Sequence, residues 1–368
     1  MIVRRSSKTV LWTVEAAKIS RRLRPAARLG EIAQIETLQA DENLMQQQLA
    51  MGIDLGGTNL KAALVDSDGR IIAKASQPVD VARGPDAVID DMVAMVDSLL
   101  AGQSCDRSDL VCVGIGSPGP LSIREGRIHH SANLPGWRNV PLRDTLSEKL
   151  RRPVVMDNDG NAAAYGEYWV GAGRSCNDLV MLTLGTGVGA GVVLNGRLVH
   201  GHFENAAELG HWIVVVDGLP CPCGQRGCLE QYSSASAVAR RVVTAMEQGQ
   251  ACALATGVQS GQPVDCAKVV QCAKAGDVVC VRIWDEACLY LAVAVIGIQH
   301  AYNPARIVLG GGMSSAGSFL LDRITDHLTR RCWSLHDDLP VITLSELGTD
   351  AGVIGAAGLA WRQADDAS

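Results

Sequence analysis

The feature that most constrains this chain is a local pattern that occurs twice. Residues 51–55 form an apolar run that ends at Gly56-Gly57-Thr58. A second run, 60–65, leads to Asp68-Gly69 and a third run, 71–75. The order then returns as Leu179–Leu184, Gly185-Thr186-Gly187, residues 190–194, Asn195-Gly196 and residues 197–200. Asp-Gly and Asn-Gly between apolar runs are strong hairpin signals, because these residues accept the positive φ of a two-residue turn. Two copies in register predict duplicated α/β halves facing each other.

The Gly-rich turns suit phosphate binding. Glycines let backbone N–H groups converge on an anion without side-chain obstruction, and the Thr58 and Thr186 hydroxyls add donors. Asp54, at the end of the first run, is a candidate partner for a Mg²⁺ riding on those phosphates. A third run, Gly310-Gly311-Gly312, follows the apolar strand 306–309 and would let the backbone lie flat against an adenine or ribose. Neither a Walker lysine motif nor a Rossmann GxGxxG is present, which removes the two commonest nucleotide folds. Asp159 follows the apolar strand 153–156 and opens a predicted helix, 161–170. Functional residues of α/β folds collect at such junctions. A plain helix N-cap sits there too.

Composition sets the outer limits. The chain has 368 residues, 33 basic against 39 acidic, so its net charge of −6 argues against a nucleic-acid backbone or an anionic membrane as main partner. The uncharged stretch 287–298 is too short to span a bilayer and predicts a buried helix. With two Phe and five Tyr, the core must rest on Val, Ile, Leu and Ala. A chain this large needs no disulfide staples, so most of its 12 cysteines read as buried free thiols, Cys112 and Cys288 among them. No secretory signal is visible, and the expected compartment is a reducing cytoplasm. Residues 1–48 differ from the rest: eight Lys or Arg lie between Arg4 and Arg28, followed by an acidic, Gln-rich run. They read as a poorly ordered leader without a catalytic role.

The motifs together resemble the ROK family of sugar kinases and repressors, within the actin-like ATPase (ribonuclease H-like) fold. The resemblance rests on Asp54-Leu55-Gly56-Gly57-Thr58-Asn59, Gly116-Ser117-Pro118-Gly119-Pro120, Asn133-Leu134-Pro135-Gly136-Trp137, Asn158-Asp159 and Leu184-Gly185-Thr186-Gly187. It continues with Glu208-Leu209-Gly210-His211 and the Cys-rich stretch from Cys221 through Cys223 and Cys228 to Glu230. The motifs cover roughly residues 50 to 361, and among family members the chain looks most like bacterial glucokinases.

The resemblance implies two duplicated α/β domains around a central cleft. The smaller spans 49–158 with a returning C-terminal helix at 352–366; the larger spans 159–351. It implies ATP with Mg²⁺ at Asp54, Gly56, Gly57, Thr58, Asn59, Gly185, Thr186, Gly187, Gly311 and Gly312. It places a hexose against Glu208, His211, Glu230, Asn158, Asn133 and the Gly119 backbone, with Asp159 as the base that takes the proton of the sugar 6-hydroxyl. His211, Cys221, Cys223 and Cys228 have the composition of a closed structural Zn²⁺ site; without a metal they are three reduced thiols beside an unrelated His. Fixing one ring nitrogen of His211 would leave the other for a sugar hydroxyl.

Two departures stand out. Ala207 replaces a usual Gly, which is expected to tighten the loop before Glu208. Gly160 replaces a usual Ala, which is expected to loosen the turn after Asp159. The expected activity is glucokinase, with N-acetylmannosamine and N-acetylglucosamine kinases as rivals. A sugar-responsive repressor is the alternative of another class, for which residues 1–48 look too short. By resemblance alone the protein is a homo-oligomer, a dimer or tetramer.

Overall fold

The computed structural model describes residues 34–37, 48–131, 133–259, 261–332 and 341–367. Of the expected leader, residues 1–33 and 38–47 lie outside the described residues. The first part of the chain carries β1 (Gln34–Thr37), β2 (Leu49–Leu55), β3 (Asn59–Val65), β4 (Ile71–Pro78) and α1 (Pro85–Gly102). It continues with β5 (Leu110–Ser117), the short strands β6 (Leu121–Ser122), β7 (Arg127–His130) and β8 (Arg138–Val140), α2 (Leu142–Leu150), β9 (Val154–Asn158) and α3 (Asp159–Trp169). Then come β10 (Leu179–Leu184), β11 (Val188–Leu194), β12 (Arg197–Leu198), α4 (Glu230–Ser233), α5 (Ala235–Glu247), α6 (Ala255–Gln259) and α7 (Cys266–Lys274). The chain closes with α8 (Val278–Tyr302), β13 (Arg306–Gly310), α9 (Ser318–Thr329), β14 (Ile342–Leu344) and α10 (Ala351–Ala367).

The duplicated pattern becomes duplicated topology. One sheet runs β4-β3-β2-β5-β9 and the other β12-β11-β10-β13-β14, with β1 added to the outer edge of the first. In each, three strands are antiparallel and two more join in parallel. The hairpin turns take the conformation the sequence requires: Gly69 has φ +78°, and Asn195 and Gly196 have +51° and +71°. The last strand of each sheet feeds a helix, α3 after β9 and α10 after β14. The chain therefore has the α/β actin-like architecture that the motifs implied.

These two helices pack against each other, and α10 also crosses the first sheet. Glycine permits the approach. A Cβ at Gly52 or Gly114 would overlap the carbonyl of Val353 or Ala356 in α10, and one at Gly355 would overlap the carbonyl of Ala162 in α3. Gly160 belongs to the same set, since its Cβ would overlap the Ala190 carbonyl of β11. This corrects the expectation of a loosened turn: Gly160 lets α3 close on the second sheet.

Side chains such as Ile53, Val96, Leu99 and Trp137 form the apolar core beside the first sheet. Those of α5, α7, α8 and α9, including Trp284, Leu291 and Val295, form the core beside the second. Stretch 287–298 lies within α8 as a core helix, and Cys112 and Cys288 are buried free thiols, as read from the sequence. Among the described residues, no helix is long and apolar enough to cross a membrane.

Candidate active site

The β9–α3 junction sets the centre of the site. Asn158, not Asp159, caps α3: its Oδ1 accepts from the N–H groups of Gly160 at 2.8 Å and Asn161 at 3.3 Å. Because the cap is already filled, Asp159 occupies the first helical position and its carboxylate is spared that duty; Oδ1 accepts from the Gly160 N–H at 2.9 Å. Burial is the main force on this group. It pushes the Asp159 carboxyl up to about 6, helped by the neighbouring Asp54 and Glu208 charges and opposed by the Gly160 N–H. The amide at the helix start pulls towards the ionised form, but burial outweighs it.

Asp54 sits at the end of β2, and burial raises its carboxyl while the Lys61 ammonium pulls it down. Its Oδ2 lies against the start of α10, 2.9 Å from where a Cβ at Gly352 would be. The Asp159 carboxylate thus feels the charges of both Asp54 and Glu208.

The Gly-rich turns differ from the expected cradle in one respect. Gly56 N–H donates to the Asn59 carbonyl at 2.9 Å, and Gly185 N–H to the Gly187 carbonyl at 3.0 Å. These first amides close the turns and are not free for an anion. Thr58, Asn59 and Thr186 are exposed. Around Gly185 and Gly312 the space beside the backbone is open, whereas Gly311, at φ +80°, lies against Leu184.

The hexose candidates come together across the same region. A Cβ at Gly57 would lie 2.8 Å from the Asn133 carbonyl, and one at Gly119 would lie 3.7 Å from Asn158 Nδ2. Glu208 is close enough to His211 and Glu230 to feel both charges. Glu230 Oε2 accepts from the Val188 N–H at 3.0 Å. Ala207 is buried at φ +67°, a left-handed conformation that costs an alanine about 1 kcal/mol. The methyl is accommodated, but on a strained backbone.

His211, Cys221, Cys223 and Cys228 also converge. Their ligand atoms all lie within 4.8 Å of one another. Cys221 Sγ is 3.6 Å from His211 Nδ1, and Cys223 Sγ is 3.7 Å from Cys228 Sγ. Three thiols and an imidazole nitrogen at such separations fit a tetrahedral Zn²⁺. Nδ1 is then the nitrogen turned to the metal, and Nε2 is the one left over.

Several residues that position the site gave no usable sequence signal. Asp157 is buried; its Oδ1 accepts from Asn158 N–H and Asn161 Nδ2, each at 2.8 Å, and its Oδ2 pairs with His200 Nε2 at 2.8 Å. Asn205 exchanges hydrogen bonds with the Leu121 backbone, at 3.1 Å each way, and Glu204 accepts from Ser122 Oγ at 2.8 Å. Segment 200–205 is thereby tied to β9 and β6 just before it delivers Glu208. The three pairings of this segment, His200 with Asp157, Glu204 with Ser122 and Asn205 with Leu121, join residues distant in sequence. A cavity of about 670 Å³ lies behind the Asp157–His200 pair, and Asp159 does not line it.

Comparison with known proteins fits this geometry. A glucokinase of Halalkalibacterium halodurans is 36% identical over 87% of this chain and 97% of its own length. The solved structure of a ROK family glucokinase from Streptomyces griseus, in complex with glucose and AMPPNP, superimposes with a TM-score of 0.72 at 33% identity. It covers 85% of this chain and 99% of that one. A xylose repressor of Caldicellulosiruptor bescii is 27% identical over 83% of this chain and 76% of the repressor. The ROK family pattern itself matches residues 50–363. With that span and these relatives, the chain belongs to the ROK family.

Proposed function

We propose that the protein transfers the γ-phosphoryl group of ATP to the 6-hydroxyl of glucose, with Asp159 as the general base. The observation that carries the reading is the Asp159 carboxylate, buried beside Asp54 and Glu208 and pushed up to about 6. A base is most effective when its pKa lies near the working pH. At neutral pH Asp159 is mostly ionised, and it can still hold the proton it takes from the sugar.

Glu208, Nε2 of His211, Glu230, Asn158, Asn133 and the Gly119 backbone grip the sugar hydroxyls. Each buried partner left unmatched costs about 1–3 kcal/mol, which orients the ring. The turns at Gly57-Thr58-Asn59 and Thr186-Gly187, with Gly311 and Gly312, receive the nucleotide. Mg²⁺ held near Asp54 would neutralise phosphate charge. Zn²⁺ at His211, Cys221, Cys223 and Cys228 would fix the loop that presents His211 and Glu230. Residues 49–158 with 352–366 act as one closing body and 159–351 as the other, which excludes water from the phosphoryl group. The same reading takes the protein as a cytoplasmic homo-oligomer.

The test is an ATP-coupled assay on purified protein with glucose, N-acetylmannosamine and N-acetylglucosamine, beside a DNA-shift assay on the same sample. Glucose turnover well above the two acetamido sugars is expected. Turnover confined to an acetamido sugar would reassign the substrate, and sugar-sensitive DNA binding without turnover would overturn the kinase reading.

A further inference from the structure

A second cluster of sulfur ligands lies away from the cleft, where the loop after α5 meets the turn between α7 and α8. Cys252 Sγ is 3.7 Å from Cys280 Sγ, and both lie within 4.8 Å of a carboxylate oxygen of Asp277. Cys272, near the end of α7, is a neighbour of the pair, but its sulfur falls outside that set. A tetrahedral zinc–thiolate site with Zn–S bonds of about 2.3 Å has S···S edges of about 3.8 Å. The spacing matches that edge, and it equals the 3.7 Å between Cys223 and Cys228 in the His211 set.

The backbone holds these groups in place. Asp277 Oδ1 accepts from the Cys280 N–H at 2.9 Å, and Oδ2 from the Ala253 N–H at 2.7 Å. The Asp277 N–H donates to the Cys272 carbonyl at 3.0 Å. A helix cap accounts for Asp277 alone, and an apolar core position takes Val or Ala as readily as Cys. Neither accounts for two thiols from separate segments meeting at one carboxylate. Cys252, Cys272 and Asp277 are half-buried, so an ion can reach the cluster from solvent.

We propose that Cys252, Cys280 and Asp277 form a second binding site for Zn²⁺, independent of the sugar pocket, with an open fourth position for water. Soft thiolates with one carboxylate select Zn²⁺ over Mg²⁺ or Ca²⁺. Binding releases the thiol protons and clamps the α5–α6 loop to the start of α8. No oxidation is involved.

The full-length protein is equilibrated with Zn²⁺, freed of loose metal on a chelating resin, and its zinc per chain measured by atomic emission. Two ions per chain are expected. Cys252→Ser and Cys280→Ser should each hold one while retaining wild-type sugar-kinase turnover. Cys223→Ser should also hold one, with this site still filled. Co²⁺ substitution in Cys223→Ser should show thiolate-to-cobalt charge transfer that Cys252→Ser/Cys223→Ser lacks. An ion count in Cys252→Ser equal to that of the wild type would overturn the proposal. So would a metal-free protein whose intact mass reveals a Cys252–Cys280 disulfide. If Cys280→Ser fails to fold, the half-buried Cys252→Ser decides the matter alone.

Discussion

Glu230 Oε2 occupies the space that a side chain at residue 187 would need: a Cβ on Gly187 would overlap it, and the Val188 N–H holds it at 3.0 Å. A turn proposed for the nucleotide is therefore packed directly on a carboxylate proposed for the sugar. Gly187→Ala should displace Glu230 and break its hydrogen bond to Val188. The expected loss is about 1–3 kcal/mol of sugar binding, roughly 5- to 150-fold in Kd, with the fold intact. Calorimetric titration with glucose, compared with Glu230→Gln, measures it. Unchanged sugar affinity in Gly187→Ala would show that the two elements are independent.

Asp159→Asn should lower turnover by about 10²–10⁴-fold while leaving glucose affinity largely intact. In the wild type, kcat/KM should fall as pH drops through about 6, the value to which burial pushes this carboxyl. Stability carries a separate signature. A carboxyl raised on folding favours the protonated fold, so its contribution is fully present below 3.8 and is lost as pH rises through about 6. Asn carries no charge to bury. Without metal or nucleotide, Asp159→Asn should melt higher than the wild type at pH 7.5, and the gap should close by pH 4. A gap that persists at pH 4 would point to packing instead of ionisation.

Gly355→Ala tests the crossing of the two duplicated helices. The added methyl would meet the Ala162 backbone carbonyl, which cannot swing aside as a side-chain tip can. The helices α3 and α10 must part, at a cost of about 1–3 kcal/mol of overpacking. Denaturant unfolding should show a lower midpoint with an unchanged slope. Because α3 begins at Asp159, turnover should fall as well.

These tests mark where sequence reading succeeds and where it stops. The repeat was legible because Gly56-Gly57-Thr58 and Gly185-Thr186-Gly187 are local patterns, each followed by a hairpin whose turn residues need positive φ. The convergence of His211 with Cys221, Cys223 and Cys228 was legible for the same reason: short spacings limit how far the ligands can separate. Asp157 with His200, and Gly355 with Ala162, were not. Each partnership joins residues far apart in the chain, and each residue alone resembles ordinary strand, loop or helix content. The Asp159 environment was only half legible. A helix start is visible in sequence, but the burial that overrides its amides comes from packing.

Cys223→Ser should lower zinc content and weaken glucose binding together, because the loop that carries His211 also leads into Glu230. Its thiol sits 3.7 Å from Cys228, and Cys221 is 3.6 Å from His211 Nδ1. Losing one ligand should release His211 Nε2 from its fixed direction. Zinc analysis and glucose titration on the same preparation provide the check. A variant that keeps its zinc and its full sugar affinity would separate the loop from the pocket.

The pairing of His200 with Asp157 makes a prediction in which pH tells structure from charge. The Asp157 carboxylate raises the His200 pKa above its usual value against a smaller opposing effect of burial. A histidine raised on folding contributes stability that is fully present below 6.5 and is lost as pH rises through its folded value. His200→Ala should therefore lower the melting temperature more at pH 5.5 than at pH 9. The imidazole is 34% exposed, so the effect should be modest and should shrink in high salt. The same variant loosens segment 200–205 ahead of Glu208. KM for glucose should rise several-fold while KM for ATP stays near the wild-type value. Equal changes in both constants would mean that His200 supports the whole cleft and not the sugar side alone.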